Sequence, residues 1–275
     1  MRLVVLLSFC SFLVAAEKLL EPLRTVVDGK GDARTRYRMG NKIYQSRNGG
    51  SKVYQGWLAD RSTVAIKVIP IWFDQPISKI KDDVRKIVAE INTMKSVKHR
   101  NIVQYIESYL VDTPNPKLYH VWIVMEHLGG GSLSELSKRN ELSEKQIAYV
   151  IHEAIMGLLH LHRKGVTDCD AHLDHIRMNS DADVKLIDLG DANTCYKKKD
   201  IQDLITFVVE SLFQQQFTMR GRTMSNDAKK FKRQSAYVHR KPTKFNLFEL
   251  TIESFLTQVR ANKAQIRNEL QAMVG

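Results

Sequence analysis

Val64-Ala65-Ile66-Lys67 sits inside "KIYQSRNGGSKVYQGWLADRSTVAIKVI", a run that alternates apolar and polar residues and breaks at Asn-Gly-Gly. Period-two alternation around turn residues reads as β-strands. The strand pattern runs from Arg38 to about Trp72. It gives way to "SKIKDDVRKIVAEINTMKSV", where Val84, Ile87, Val88, Ile91 and Met94 recur at helical spacing. That helix carries Glu90, 23 residues after Lys67. Two more strands follow, in "NIVQYIESYLV" and "LYHVWIVMEHL". Gly129 to Gly131 then interrupt the chain. Next comes a long helix in which Ile147, Ile151, Ala154, Leu158 and Leu161 form one face. Ser143 and Gln146 have the spacing of a capping box, and Gly165 stands where a helix ends. A short strand, "VKLIDLG", closes on Asp188 and Gly190.

A strand lysine, a helix glutamate and a strand-end acid followed by glycine, in this order, are the parts a protein kinase needs. The whole pattern resembles the PAK-like (sterile-20 group) serine/threonine kinases. The resemblance rests on "EPLRTVV", "VAIK", "AEINTMKSVKHRNIVQYIESYLV", "WIVMEHLGGGSLSEL", "QIAYVIHEAIMGLLHLHRKGV" and "VKLIDLG". It resumes in "DIQDLITFVVESL", which looks like the family's buried large-lobe helix, and fades after Phe213. It implies an α+β, bilobal fold, with a β-rich small lobe over 37–126 and a truncated helical large lobe over 127–275. It also implies ATP and Mg²⁺ as cofactors, weakly held. Lys67 would contact nucleotide phosphates and pair with Glu90. Met125 would be the gatekeeper, Glu126 to Leu128 the adenine-binding hinge, and Asp188 the Mg²⁺ ligand.

The resemblance also shows what has changed. Val166 to Asn179, "VTDCDAHLDHIRMN", occupies the place of the H-R-D-x-K-x-x-N catalytic loop. Asp170 matches the catalytic aspartate. Asp168 and Cys169 replace the histidine and arginine. His172 replaces the lysine, and His175 the Mg²⁺-binding asparagine. Mg²⁺ prefers hard oxygen ligands, so imidazole at 175 is a poor substitute. His172 carries only part of a charge near neutral pH. A carboxylate at 168, expected in the interior, is costly unless paired or protonated. The loop's acids and histidines, Asp168, Asp170, His172, Asp174 and His175, are also of the types that hold zinc or manganese. All lie in one short stretch whose flanks the kinase register explains.

Two further departures follow from the alignment. The three glycines of the family's phosphate loop fall on Ser46, Asn48 and Ser51, which weakens a backbone cradle without excluding nucleotide. Asp188 and Asp200 are only twelve positions apart, where the family has an activation segment and an A-P-E motif. In the family, the position of Cys169 and the strand after D-L-G face a shared phosphate. The resemblance therefore suggests a Cys169–Cys195 disulfide in place of that latch, with two separate thiols as the alternative.

The 275 residues as a whole constrain partners and compartment. The chain is 43% hydrophobic, 26% charged and has a net charge of +12. Basic chains often meet nucleic acid or anionic membranes, but here the cations are dispersed and no RNA-binding motif is present, so no specific nucleic acid is expected. "KKFKR" within the cation-rich Lys229–Lys244 stretch reads as a solvated face. "MRLVVLLSFCSFLVAAEK" has the layout of a secretory signal peptide over 1–16, followed by an extension over 17–36. The apolar run is short for a bilayer, so no membrane span is expected. A buried helix or a faulty start is the competing reading, with a cytoplasmic protein as its consequence. The expected whole is a secreted pseudokinase with a binding or scaffolding role toward an unidentified protein partner. The alternatives are an inefficient serine/threonine kinase using Asp170 and Asp188, or a decayed or misjoined gene copy.

Overall fold

The computed structural model describes residues 16–46, 50–193, 195–242 and 254–274. The chain divides into two units, one of Met1–Ser96 with Gln104–His127 and one of Val97–Val103 with Leu128–Gly275. The fold is α+β, as the sequence leads one to expect.

The first unit is an antiparallel five-stranded sheet in the order β1-β2-β3-β5-β4. Its strands are β1 (Arg38–Gln45), β2 (Lys52–Trp57), β3 (Thr63–Trp72), β4 (Tyr105–Asp112) and β5 (Leu118–Glu126). β3 and β5 are central, so their interiors read as nearly unbroken apolar runs. A core of Tyr37, Val64, Ile66, Val68, Tyr109, Val111, Trp122 and Val124 fills one side. The stretch before the sheet belongs to this unit. Helix α1 (16–26) buries Ala16, Leu20 and Leu23 at helical spacing. After it, Asp28 accepts hydrogen bonds from the Tyr105 hydroxyl at 2.5 Å and the Ser108 amide at 3.0 Å. The Gly29 amide donates to the Ser108 carbonyl, and the Tyr109 ring occupies the space a side chain at Gly29 would need. A single turn, α2 (Ala33–Arg36), is capped by Asp32 and leads into β1. Helix α3 (Ile77–Ser96) buries Ile80, Val84, Ile87, Glu90, Ile91 and Met94.

The second unit is mainly helical. Helix α4 (Leu133–Arg139) starts with a capping box between Ser132 and Glu135. Helix α5 (Glu144–Arg163) starts with the expected box between Ser143 and Gln146, and Gly165 follows it at φ +81°. Its central residues are almost all buried. Gly157 is where α5 meets the Asn101 carbonyl and Leu186, because a Cβ there would lie 2.8 Å from that oxygen. A small hairpin pairs β6 (Ile176–Met178) with β7 (Val184–Leu186). Helix α6 begins at Lys197–Asp203 and continues without a break through π-helical turns at Leu204–Glu210 and Gln214–Thr218. Leu204, Ile205, Val208, Val209, Leu212 and Phe213 are buried along it, in keeping with a central helix. Phe231 stacks on both Phe213 and Phe255, which are tilted to each other, where α7 (Asn226–Arg240) and α8 (Ser254–Val274) join the core. The "KKFKR" stretch lies on α7 with Phe231 buried and Lys229, Lys230 and Arg233 exposed, a solvated face. Among the described residues, no helix is long and apolar enough to cross a membrane.

Glu153 shows how the second unit is tied together. Its buried carboxylate accepts hydrogen bonds from Asn101 (3.0 Å) and Lys263 (2.9 Å), lies 3.1 Å from His152, and pairs with Arg100. Burial pushes this carboxyl up. The hydrogen bonds from His152, Asn101 and Lys263, with the Lys263 charge, outweigh that effect and hold it down to about 2.

Candidate active site

Lys67 lies mid-strand on β3, facing Val53 on β2 and Ile123 on β5 in the register. Its ammonium meets the Glu90 carboxylate at 2.7 Å, with both residues buried. Glu90 is on the buried face of α3, which is why a charged residue appears among apolar ones at helical spacing. A buried pair of this kind holds only when each charge keeps its partner. Here the pair fixes a lysine ammonium at one point of a stiff sheet.

The other residues expected to contact nucleotide fall in both units. Ser46 and Ser51 close the β1–β2 turn on each other: the Ser46 amide donates to the Ser51 carbonyl at 3.0 Å, and the Ser51 amide to Ser46 Oγ at 2.9 Å. Asn48 lies outside the described residues. Met125 is half-buried on β5, opposite Ala65 and Tyr105. Glu126 is tied twice to Gln104, its carboxylate accepting from that amide at 2.6 Å and its amide donating to that carbonyl at 3.0 Å. Leu128 belongs to the second unit and is buried there.

In the second unit, Asp170, His172, His175 and Asp188 come together. A 3₁₀ turn at Leu173–His175 folds His175 back, and its Nδ1 lies 3.1 Å from the Asp170 carbonyl oxygen and 3.3 Å from Asp170 Oδ2. His175 Nε2 is 3.7 Å from Asp188 Oδ2. His172 Nε2 is 3.6 Å from Asp170 Oδ1, and the two imidazoles face each other with centroids 3.8 Å apart. The Ile187 amide donates to the His175 carbonyl, which sets the strand end beside the loop. Asp188 is left-handed, at φ +60°, a conformation aspartate tolerates better than most residues.

The kinase family uses ATP with Mg²⁺, and the residues fit that pair unevenly. Lys67, held by Glu90, suits a phosphate. Asp188 suits Mg²⁺. The imidazole of His175, standing where an amide oxygen would be the second ligand, does not.

Beneath the loop, Asp168 is 1% exposed, and neither carboxylate oxygen has a hydrogen-bond partner. Burial, reinforced by Asp200 and then by Asp170 and Asp188, pushes its carboxyl well above the usual range. Of the two ways to tolerate an acid at this position, pairing is absent, and the burial that raises the carboxyl favours its neutral form.

Residues that the motif reading passed over hold this region. Asp200 accepts from the Asp168 amide at 2.9 Å and the Cys169 amide at 3.1 Å, and is 2.7 Å from His162 Nε2. Its only trace in the sequence is an acid opening the apolar run of α6. Asn193 and Thr167 interlock: the Thr167 amide donates to Asn193 Oδ1, and the Asn193 amide to the Thr167 carbonyl, each at 3.1 Å. The Thr167 hydroxyl donates to the Cys195 carbonyl. Cys169 and Cys195 form a disulfide with Cα atoms 5.6 Å apart, as the family position of Cys169 suggests. The short interval after Asp188 is thus fastened to the segment leading into the loop.

The sequence profile of the protein kinase domain matches residues 48–215. The serine/threonine-protein kinase pakA of Talaromyces marneffei is 39% identical over 161 residues, which is 58% of this chain and 23% of that protein. MST20 of Pyricularia oryzae, also a serine/threonine-protein kinase, is 40% identical over 162 residues, covering 58% and 16%. The serine/threonine-protein kinase CLA4 of Candida albicans is 31% identical over 175 residues, covering 63% and 17%. The chain spans less than a quarter of the length of these relatives. With its sheet, its Lys67–Glu90 pair and its Asp170 loop in place, the chain belongs to the protein kinase domain family, and kinases named for Ste20 and PAK are among its relatives.

Proposed function

We propose that this chain is a pseudokinase: a PAK-like serine/threonine kinase domain that has lost efficient phosphotransfer, binds nucleotide weakly and acts as a binding or scaffolding module. The observation that carries this reading is His175, which stands in the place of the metal-binding asparagine, 3.3 Å from Asp170 and 3.7 Å from Asp188. An imidazole there offers Mg²⁺ nitrogen where it wants oxygen. His172 in place of the lysine removes a permanent positive charge. The twelve-residue interval from Asp188 to Asp200 leaves little room for a platform that docks a protein substrate. Secretion is part of the proposal. The leader-like start supports it, and so does the disulfide, because such bonds persist in oxidising compartments and are rare in the cytosol.

The test is a thermal melt with and without ATP and Mg²⁺, run beside Lys67→Ala. A cooperative melt raised by nucleotide in the native protein alone supports a ligand-competent site. A melt blind to nucleotide leaves a pure scaffold. Absence of a cooperative melt rejects the proposal in favour of a decayed or misjoined gene copy.

Two observations favour a slow kinase as a second reading. Asp170 keeps a solvent-accessible carboxylate, and the Lys67–Glu90 pair is formed. ATP-dependent phosphate transfer that disappears in Asp170→Asn would establish it.

A further inference from the structure

We propose that the rewritten loop is a binding site for a divalent transition-metal ion, for which Zn²⁺ is the probe, with His175 and Asp188 as principal ligands and Asp170 and His172 completing the shell. The inference stands on side-chain placement and does not depend on the loss of phosphotransfer.

Among the described residues, Asp170, His172 and His175 form a group in which one ligand atom of each lies within 4.8 Å of the others. Asp188 adds a fourth donor, 3.7 Å from His175 Nε2. Ligand atoms at about 2.0–2.2 Å from a tetrahedral Zn²⁺ are roughly 3.3–3.5 Å from each other. The pairs His175–Asp188 at 3.7 Å and His172–Asp170 at 3.6 Å are close to that spacing. Asp170 is 44% exposed at its side chain, so its carboxylate can turn to close the remaining gap.

The orientation of His175 matters more than the proximity. Its Nδ1 points at the Asp170 carbonyl oxygen, an acceptor, so the tautomer that satisfies this contact carries its proton on Nδ1. The lone pair is then on Nε2, on the side of Asp188. A metal-ligating histidine commonly has this arrangement, with its second nitrogen donating to a carbonyl or carboxylate. The ring is buried, so little rotamer freedom is lost when an ion binds. His172 is less ready. Its Nδ1 accepts the Asp174 amide at 3.2 Å, so Nε2 holds the proton and the ring must exchange tautomer, giving up that bond, before it ligates.

Donor chemistry selects the ion. Two imidazoles with two carboxylates suit Zn²⁺, Co²⁺ or Mn²⁺ better than Mg²⁺. The ion would neutralise the facing acids and join the loop to the end of β7.

The experiment is titration of the full chain, without reductant so that Cys169 and Cys195 stay paired, using Zn²⁺ against a chromophoric chelator. One Zn²⁺ per chain is expected. His175→Ala should weaken it by about 100-fold and His172→Ala by about 10-fold, the range seen for residues that shape metal sites. His99→Ala with His160→Ala, an imidazole pair stacked elsewhere in the second unit, should change nothing. Bound Co²⁺ should give the visible absorption of a four- or five-coordinate site, lost with His175. A far-ultraviolet melt confirms that each variant folds, and His175→Asn replaces any alanine variant that does not. No bound ion, or an ion retained unchanged by the His172→Ala/His175→Ala double variant, overturns the proposal.

Discussion

The Lys67–Glu90 pair and the Asp168–His175 loop have met opposite fates. In the first unit, a buried ion pair keeps both partners at 2.7 Å on a strand and helix whose surrounding residues are ordinary for their positions. In the second, four of the five family positions have changed, yet the loop is not left loose. It is held by a disulfide, by Asp200 on two backbone amides, and by the Asn193–Thr167 interlock. Loss by neglect would be expected to leave unfilled space and broken hydrogen bonds. What stands here is a different set of bonds, with one unpaired acid, Asp168, as the evident cost.

The contrast can be broken at the loop. If the histidines alone account for lost turnover, His172→Lys with His175→Asn should raise Mg²⁺-dependent ATP turnover by roughly 100-fold, the scale of restoring one electrostatic stabiliser. No rise over the native chain would place the loss in the shortened interval after Asp188. Opening the disulfide tests how the loop is held. Its cysteines are 26 residues apart, and closing such a loop contributes about 3.5 kcal/mol by chain entropy. Cys195→Ser should lower stability by that order in denaturant titration, and reductant should lower the native protein but not the variant.

Two carboxyls sharpen the comparison because they sit in the same unit with opposite settings. Glu153 has several donors and a carboxyl held down to about 2. A depressed carboxyl contributes stability that is present above its unfolded pKa and lost as pH falls through the folded one. Glu153→Gln should therefore cost about 2–3 kcal/mol at pH 7, with the difference shrinking between pH 5 and pH 2. Asp168 has no partner and a raised carboxyl. The sign reverses: the native protein loses stability as pH rises from the ordinary carboxylate range toward the raised value. Asp168→Asn should match the native protein near pH 4 and exceed it by about 1–2 kcal/mol at pH 8. An identical pH slope in both proteins would show that Asp168 ionises without penalty.

The sequence was most legible where neighbours in the chain are neighbours in space. The alternation around Val64–Lys67, the helical spacing that contains Glu90, and the Ser143–Gln146 box each concern contacts inside one element or between adjacent ones. The replaced loop was legible only through the family pattern, since nothing in "TDCDAHLDH" alone distinguishes a catalytic loop from a metal cluster. Asp200 stayed hidden because its partners Asp168, Cys169 and His162 are 32, 31 and 38 residues away. Single acids at the start of helices are common, and no local pattern marks one that will accept two distant amides. Neither did composition foretell the π-helical turns of α6, whose residues differ little from those of an ordinary buried helix.

The Asp28 anchor has a consequence for synthesis. Its partners, Tyr105 and Ser108, lie 77 and 80 residues further along the chain. At about 5–20 residues per second, those partners leave the ribosome some 4–16 s after Asp28 does. For that interval Asp28 lacks these partners, and the anchor that follows α1 is not yet made. A segment made before the sheet is therefore anchored only once β4 has been made.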